Sequence, residues 1–323
     1  MNKLKLEFPE HFFEGEERCG YYISPEMKKV WAVELDLLNE FMKVCDKYGI
    51  KYFAGGGTML GAVRHNGMIP WDDDIDIFMK RSEYEKFVKI ARAGEFKKPY
   101  FWQDHLTDPS YLGGPGRLQN SETTAIAYGA FREKNGTITD HLGIYLDVFP
   151  LDNIPDDKLK HDTWLKNISK LARQAWNLRM FSQRHLLQDN KELEWLDFWF
   201  NLTGKPNHLF EKYYELLSEN ANEDTKKCCI FSFYTRNIGH WVYENKDWTG
   251  KIEMSFEMLK VPVPFNYDKI LTDTYGNWHQ LVKGTSVHEK IDIGLFFDTE
   301  HPYTYYVDPV KGIRKELIEQ NNR

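Results

Sequence analysis

The chain has few cysteines, and their spacing argues against disulfide or zinc chemistry. The four cysteines, Cys19, Cys45, Cys228 and Cys229, form no CxxC pair, and the adjacent Cys228 and Cys229 cannot readily bridge to each other. A zinc site from these two thiols and His240 is disfavoured, because adjacent thiols are poor tetrahedral ligands. We therefore expect reduced thiols in a cytoplasmic protein, and the roles of Cys228 and Cys229 stay open.

Two further absences exclude classes of protein. The chain has no run of about 18 apolar residues that could span a membrane, and its N-terminus has no apolar run of signal-peptide length. With a net charge of -7, it lacks the excess of Lys and Arg that neutralises nucleic-acid phosphates, so we expect no nucleic-acid partner. Peripheral association with the inner face of the membrane stays open.

What the N-terminal part does contain is a helix, a strand and a glycine turn. Ser24-Pro25 is a capping residue before a helix-starting proline, and apolar residues then recur at helical spacing as far as Tyr48. Lys51–Ala54 is typical of a short strand, which runs into Gly55-Gly56-Gly57 and a helical stretch from Thr58 to Arg64. Such a turn brings backbone amides and a helix N-terminus close to a phosphate, although most glycine triplets are only turns.

An acidic run follows the glycine turn. The segment from Asp72 to Asp76 places four carboxylates in five positions, which repel one another unless a cation lies among them. The alternative is a solvated acidic loop. However, Asp74 and Asp76 alternate with Ile75 and Ile77, the period-two pattern of a strand with one apolar and one acidic face. We therefore favour metal binding, with Asp72 and Asp73 serving the loop structure or orienting the other acids.

A third carboxylate lies on a distant strand. Gly143–Phe149 predicts a strand that ends at Pro150 and carries Asp147 on the same face as Tyr145. Magnesium and manganese bind through few carboxylates and share their other positions with water and substrate phosphate, so an acidic pair and a third acid suit two ions. The predicted catalytic and metal-binding residues are Asp74, Asp76 and Asp147.

The other elements follow from spacing. Ser82 with Glu85 predicts a capping box that opens a helix over residues 84–93, and residues 99–140 predict loops with short strands near 117–118 and 123–127. Beyond Pro155, helical spacing covers residues 159–184, 209–222 and 268–275, the last ending at Gly276. We expect an α+β fold. A small mixed sheet with flanking helices spans residues 24–152, and a mainly helical part, 153–323, completes the active-site cleft.

Residues 56–77, GGTMLGAVRHNGMIPWDDDIDI, closely resemble the signature of the LicD family, transferases that modify sugars and polymers and are related to fukutin. Similar stretches occur at Gly143–Asp152 and Pro264–Trp278, so the resemblance extends from about residue 25 to residue 288. It implies a nucleotidyltransferase-like fold. It also implies transfer of a phosphorylated alcohol, first of all phosphocholine from CDP-choline, to a hydroxyl of a surface glycan.

The resemblance leaves the substrates open. The acceptor class includes lipopolysaccharide, teichoic-acid and lipid-linked glycan precursors, and the donor could instead be CDP-ribitol, CDP-glycerol or a phospho-sugar. One rival function is true nucleotidyl transfer to a small molecule, which releases pyrophosphate rather than CMP. Another is a non-catalytic scaffold, whose usual mark is a lost carboxylate, and this chain retains all three.

The predicted donor-binding residues are Gly56, Gly57, Thr58, Arg64, His65 and Arg117. For Arg64 the alternatives are a phosphate clamp and an ion pair with the acidic cluster. For His65 they are a phosphate contact and a bond that satisfies a carboxylate. Arg117 lies where the family usually has Lys-x-Arg before a Thr-Thr pair, but this chain has Gln119 at the second basic position.

Aromatic residues could recognise a choline head group, because a quaternary ammonium binds to aromatic faces rather than to hydrogen-bonding groups. Five aromatic residues lie near the motif segments: Trp71, Trp102, Tyr145, Trp241 and Tyr275. At least two of them are predicted to line the donor pocket. On this basis we expect CDP-choline to be preferred to CDP-ribitol.

Overall fold

The computed structural model describes residues 4–108, 111, 115–127, 141–185, 208–230, 241–282, 295–308 and 312–314. In these residues the fold is the predicted mixed sheet flanked by helices. The helices are α1 (Pro25–Tyr48), α2 (Gly56–His65), α3 (Arg81–Arg92), α4 (Lys158–His185), α5 (His208–Ser218), α6 (Tyr267–Tyr275) and α7 (Tyr303–Tyr306). The strands are β1 (Glu16–Arg18), β2 (Tyr21–Ile23), β3 (Phe53–Ala54), β4 (Asp76–Lys80), β5 (Tyr100–Gln103), β6 (Gly116–Asn120), β7 (Thr124–Ala127), β8 (Ile144–Ile154), β9 (Lys227–Cys229), β10 (Val242–Glu244), β11 (Lys251–Phe256), β12 (Leu259–Pro264), β13 (Leu295–Asp298), β14 (Val307–Asp308) and β15 (Gly312–Ile313).

Strand β8 organises the largest sheet. It pairs in parallel with β4 along one edge, and along its other edge it pairs antiparallel first with β6 and then with β9. The order β10-β9-β8-β4-β3 runs across the sheet, and β5 joins it through β6. In this register Asp147 lies beside Asp76 on β4 and beside Arg117 on β6. Residues more than 70 positions apart in the sequence thus form one row across three strands.

Helix α1 supplies much of the core, as its apolar spacing predicts. The Ser24 hydroxyl accepts a hydrogen bond from the Met27 N–H at 3.1 Å, and Gly49 ends the helix in the left-handed region at φ 64°. The apolar stripe, including Leu37 and Phe41, is fully buried. Each large side chain buried in this way contributes about 1.5–3 kcal/mol, so this stripe packs α1 firmly against β8 and β6.

The prediction that β8 ends at Pro150 is wrong, because the strand continues to Ile154. The Asp147 N–H donates to the Ile75 carbonyl oxygen at 3.0 Å, on the side of β4. N–H groups alternate in direction along a strand, so a residue at 150 would direct its N–H to the opposite edge. There β6 pairs only as far as Val148 and β9 begins at Asp152. Proline therefore occupies a position where the ladder needs no donor.

The predicted capping box at Ser82 is also wrong. Helix α3 begins at Arg81, three residues before the predicted start at residue 84, and no side chain caps its N-terminus. The Glu85 carboxylate instead pairs with Arg81 at 3.3 Å and accepts from the Ser218 hydroxyl at 2.8 Å. Glu85 thus bonds to side chains and does not cap the backbone at the start of the helix.

The part after β8 contributes strands as well as helices. Strands β9 and β10 extend the large sheet, while α4 and α5 pack on its end through a small second core that includes Ile154, Trp164 and Leu217. The prediction of a mainly helical part over 153–323 includes residues that lie outside the described ranges and stays a prediction. Within the described residues, no helix combines the length and apolar character needed to cross a membrane.

Candidate active site

The glycine turn forms the N-terminus of α2, two residues earlier than the sequence predicts. Gly55 is anchored to the sheet, since its N–H donates to the Asp76 carbonyl oxygen at 2.9 Å. The first bond within the helix runs from the Met59 N–H to the Gly55 carbonyl oxygen at 2.8 Å. The preceding amides of residues 56–58 therefore have no partner in the helix ladder and point to its N-terminal end. This end is suited to bind an anion.

Two carboxylates approach the backbone of this turn. Gly56 has φ 39°, and a β-carbon there would lie 3.2 Å from Asp76 Oδ2. A β-carbon on Gly57 would lie 2.7 Å from Asp72 Oδ2. The glycines are thus required by close approach, and they bring the positive helix end next to acidic side chains. Asp72, predicted to serve the loop, lies against the turn itself.

Thr58 acts on the position of Asp76. Its side chain is buried, and its hydroxyl oxygen accepts a hydrogen bond from the Asp76 N–H at 2.8 Å. This bond ties the start of β4 to the first turn of α2. The predicted contact between Thr58 and the donor stays a prediction.

Asp76, Asp147 and Arg117 form the row across β4, β8 and β6. Arg117 Nε donates to Asp147 Oδ1 at 2.8 Å, and the guanidinium lies 3.9 Å from the centre of the Tyr145 ring. Burial disfavours the charge on Arg117, but Asp147, Tyr111 and Tyr145 together outweigh it and hold the Arg117 pKa well above its ordinary value. A cation thus remains charged beside the acids and can bind phosphate oxygens.

The acids destabilise one another's charges. Burial raises the pKa of Asp76 well above its ordinary value, the charges of Asp74, Asp147 and Asp72 raise it further, and Arg117 opposes them. Such mutual repulsion is relieved by protonation or by a bound cation. Electrostatics therefore mark this part of the sheet as a candidate functional site.

A divalent cation is implied by the family resemblance, and the donor set fits one. Asp72, Asp73 and Asp74 each offer an oxygen, and the three atoms lie within 4.8 Å of one another. Asp73 is only 6% exposed, unlike the acids of a solvated loop. Hard cations such as Mg²⁺ and Mn²⁺ prefer such carboxylate oxygens. Of the predicted set, Asp74 belongs to this group, while Asp76 and Asp147 form the adjacent row.

Three of the five aromatic residues lie beside the site. Next to Gly56, a β-carbon would come within 3.6 Å of the Tyr275 hydroxyl and 3.8 Å of the Trp241 ring. Tyr145 stacks on Arg117. The other two make different contacts. Trp102 is buried and donates to Asp104 at 2.7 Å, and Trp71 packs edge-on against Tyr21 and His65.

Arg64 and His65 are at the opposite end of α2 from the glycine turn. Arg64 donates to the Trp278 carbonyl oxygen at 2.9 Å and, through Nε, to His65 Nε2 at 2.9 Å. Burial, with the neighbouring charges of Arg64 and Arg18, lowers the pKa of His65 to about 4, so the ring is neutral at physiological pH. At about 1.5 Å per residue, the eight positions from Gly56 to Arg64 span about 12 Å. The predicted phosphate contacts of Arg64 and His65 stay predictions.

Sequence reasoning missed Glu34. It lies on the buried face of α1, is 1% exposed, and its Oε2 has no hydrogen-bond partner among the described residues. Burial raises the pKa of Glu34 well above its ordinary value. The charges of nearby acids raise it further, in the order Asp73, Asp74, Asp72 and Asp76. An acid within the apolar stripe Val30, Val33, Leu37 was the available signal in the sequence.

The two adjacent cysteines are part of the core. Cys228 and Cys229 are buried in β9, and burial raises the pKa of both, that of Cys228 to about 12. They are therefore neutral core residues. His240, the third residue of the disfavoured zinc alternative, lies outside the described residues.

Gly57→Ala is expected to weaken donor binding several-fold with little change in stability. The new β-carbon displaces the Asp72 carboxylate, 2.7 Å away, while alanine favours the helix by up to about 1 kcal/mol. Calorimetric titration with CDP-choline and thermal unfolding measure the two effects. Gly49→Ala is the converse control. At φ 64° with no atom within 4 Å, it should lower stability by about 1 kcal/mol and leave donor affinity unchanged. Unchanged affinity in Gly57→Ala would contradict the role of the turn.

Comparison with known proteins confirms the predicted resemblance. The family model described as LicD/FKTN/FKRP, nucleotidyltransferase domain, matches residues 49–169. Lipopolysaccharide cholinephosphotransferase LicD of Haemophilus influenzae is 28% identical over 272 residues, which are 79% of this chain and 92% of that protein. Ribitol 5-phosphate transferase FKRP of Homo sapiens is 28% identical over 102 residues, 30% of this chain and 20% of that protein. An uncharacterized protein of Rickettsia typhi is 43% identical over 54 residues, 17% of this chain and 18% of that protein.

Proposed function

We propose that this chain, whose residues 49–169 are a LicD-type nucleotidyltransferase domain, is a metal-dependent transferase that moves phosphocholine from CDP-choline to a hydroxyl of a surface glycan precursor. The observation that carries the proposal is the meeting of the α2 N-terminus with Asp72 and Asp76. A helix N-terminus and a cation-binding acid cluster together suit a diphosphate, whose oxygens bind both. The choice of choline is supported by the cholinephosphotransferase relative, which spans most of this chain.

The residues of the site have distinct proposed roles. Backbone amides of residues 56–58 hold a donor phosphate at the helix end. Arg117, kept charged and stacked on Tyr145, belongs to the row with Asp76 and Asp147 and neutralises charge that develops on the transferred phosphoryl group. Asp147 orients Arg117 through the 2.8 Å bond. Thr58 fixes Asp76 at the start of β4.

Asp74, Asp76 and Asp147, together with Asp72 and Asp73, are the carboxylates that would hold the proposed two Mg²⁺ or Mn²⁺ ions. Bound divalent cations supply activation of an acceptor hydroxyl and neutralisation of the departing CMP. The protein's own part is to aim the carboxylates at one place. It does so through the β4–β8 register and through the hydrogen bond from Trp31 Nε1 to the Asp72 carbonyl oxygen at 2.9 Å.

A donor screen tests the function. Purified protein with Mg²⁺ or Mn²⁺ is offered CDP-choline, CDP-glycerol and CDP-ribitol, with a glycan acceptor, and CMP release is measured. We expect CMP from CDP-choline in preference to the polyol donors, and none after chelation of the metal. A preference for CDP-ribitol would fit the other relative, which is named as a ribitol 5-phosphate transferase. Pyrophosphate release from a nucleoside triphosphate would instead establish true nucleotidyl transfer.

Trp241→Leu is expected to raise the KM for CDP-choline roughly 2- to 30-fold, the equivalent of about 0.5–2 kcal/mol for one aromatic contact with a quaternary ammonium. Trp241 adjoins Gly56 and packs edge-on against Tyr275. Steady-state kinetics with CDP-choline and CDP-glycerol are the measurement, since a polyol head group gains no cation–π energy. Tyr48→Leu, at an exposed tyrosine ending α1, is the control. Equal effects on both donors would remove Trp241 from head-group recognition.

A further inference from the structure

A cavity of about 440 Å³ lies between helices α3 and α5 and the segment that follows β5. Its size falls in the range of about 300–1,000 Å³ that is typical of small-molecule sites. Arg81, at the start of α3, bonds to Asp152 of β8, and Asp152 lies five residues after Asp147 on that strand. Side chains an odd number of residues apart point to opposite faces of a sheet. Helix α3 and the cavity are therefore on the face opposite to Asp147.

Aromatic rings form part of the cavity wall. The rings of His105 and Tyr214 are parallel, with centroids 4.6 Å apart and an interplanar angle of 8°. Both residues line the cavity, together with Tyr84 and Val88. Burial lowers the pKa of His105 below its ordinary value, so this ring is neutral at physiological pH and adds no positive charge. Aromatic faces of this kind attract cations through the ring quadrupole.

The charged groups that line the cavity are mostly acidic. Four carboxylates and one guanidinium contribute to the lining, from Glu85, Asp104, Glu211, Glu215 and Arg92. The Arg92 charge is already bonded to Asp104, at 2.8 Å. Glu211 and Glu215 lie one turn apart on α5, and like charges at this spacing repel each other. A bound cation relieves that repulsion, so the cavity favours a positively charged ligand.

Tyr84 adds a hydrogen-bonding group to the cavity. The residue is only 4% exposed, and its ring lies 5.3 Å from the guanidinium carbon of Arg81. Its hydroxyl forms no hydrogen bond with any described residue. A buried hydroxyl without a partner is unfavourable, and a ligand that offers a polar hydrogen or a lone pair restores the bond. The fitting ligand therefore has a polar group beside its positive charge.

We propose that this cavity binds a small ammonium ion that also carries a hydroxyl group. The aromatic rings and the acids of α5 bind the ammonium group, and Tyr84 bonds to the hydroxyl. Free choline and the amino sugar glucosamine both have this chemistry, and the experiment distinguishes them. The inference goes beyond the proposed function and does not depend on it, because the cavity is on the other face of the sheet.

The test is calorimetric titration of the full-length protein with choline and with glucosamine. Each is paired with a neutral analogue: the alcohol that has carbon in place of the choline nitrogen, and glucose. We expect saturable binding of at least one ammonium ion and about 10-fold weaker binding of its neutral analogue. Binding of choline alone identifies a quaternary head group, and binding of glucosamine alone a primary ammonium. Equal binding of charged and neutral compounds, or no binding of either ammonium ion, overturns the inference.

Variants of the cavity residues locate the binding. The double variant Glu211→Gln, Glu215→Gln should weaken binding of the ammonium ion about 10-fold, and Tyr84→Phe about 3-fold, because each removes a group that contacts the ligand. Both should retain wild-type CMP release. Wild-type affinity in both variants overturns the inference and leaves the proposed function intact. If the double variant does not fold, Tyr84→Phe decides alone.

Two further variants are controls. Glu219→Gln, at an exposed residue just after α5, is the matched control and should leave the affinity unchanged. Trp241→Leu should also leave it unchanged, because Trp241 lies beside Gly56 of the glycine turn. Loss of binding in Trp241→Leu, with wild-type affinity in the cavity variants, would place the ammonium ion at the candidate active site and overturn the inference.

Discussion

Asp76→Asn is expected to lower the rate of CMP release from the donor by about 1000-fold, with the fold intact. A carboxylate that positions catalytic cations is worth several kcal/mol in the transition state, and each factor of ten in rate corresponds to about 1.4 kcal/mol. Asp76 adjoins the glycine turn and lies in register with Asp147, which places it at the centre of the candidate site. Asp147→Asn should have a similar effect, and it also removes the charge that faces Arg117.

The stability of Asp76→Asn separates catalysis from folding. Since burial and neighbouring acids raise the pKa of Asp76, its ionised form destabilises the metal-free protein. The amide variant should therefore melt in chelator at or above the wild-type temperature. Asp273→Asn, at an exposed residue paired with Lys269, is the control and should retain wild-type turnover. Near-normal CMP release from Asp76→Asn, measured under saturating donor and metal, would remove Asp76 from the active site.

Local features of the fold could be predicted because they depend on neighbours in sequence. Ser24 and Gly49 bound α1 through capping interactions that involve a few adjacent residues, and the apolar stripe gives the buried face. The glycine turn before α2 and the alternation of Asp74 to Ile77 are equally local. The motif also carried the family resemblance, which the comparisons confirm.

Features that depend on strand pairing could not be predicted from spacing. The continuation of β8 through Pro150 depends on where β6 stops and β9 begins, and those strands lie about 25 residues before and 75 residues after it. The approach of Trp241 and Tyr275 to Gly56 likewise joins positions about 200 residues apart. Periodicity indicates the face of a strand but not the identity of its neighbour.

The fold also contains side chains that sequence rules treat as exceptions. Glu34 is an acid on the buried face of α1, where helical periodicity predicts apolar residues. The raised pKa of Glu34 depends on its burial and on the charges of residues 72–76, which the spacing of α1 alone does not reveal. For Arg64, the spacing from the glycine turn suggested a phosphate clamp. In the structure it donates to the Trp278 carbonyl oxygen, a contact that depends on where α6 ends and that local spacing does not predict.

Arg81→Met is expected to destabilise the protein by about 3–5 kcal/mol, because it leaves one half of a buried ion pair. Arg81 and Asp152 are each 1% exposed, and Arg81 Nε donates to Asp152 Oδ1 at 2.6 Å. The pair fastens α3 to β8, the strand that carries Asp147. Burial raises the pKa of Asp152 to about 6, and Arg81 opposes the rise.

The loss in Arg81→Met should grow with pH. Without the guanidinium, the folded-state pKa of Asp152 rises further above its unfolded value of about 3.9. The folded state then retains a proton that the unfolded state releases, so stability falls as pH rises from about 4 through the folded-state pKa. Urea unfolding at pH 5 and pH 8 measures the difference, which should be larger at pH 8. Adding Asp152→Leu to Arg81→Met removes the stranded carboxylate and should restore most of the stability. If the double variant is as unstable as Arg81→Met and shows the same pH dependence, Asp152 is not the source of the loss.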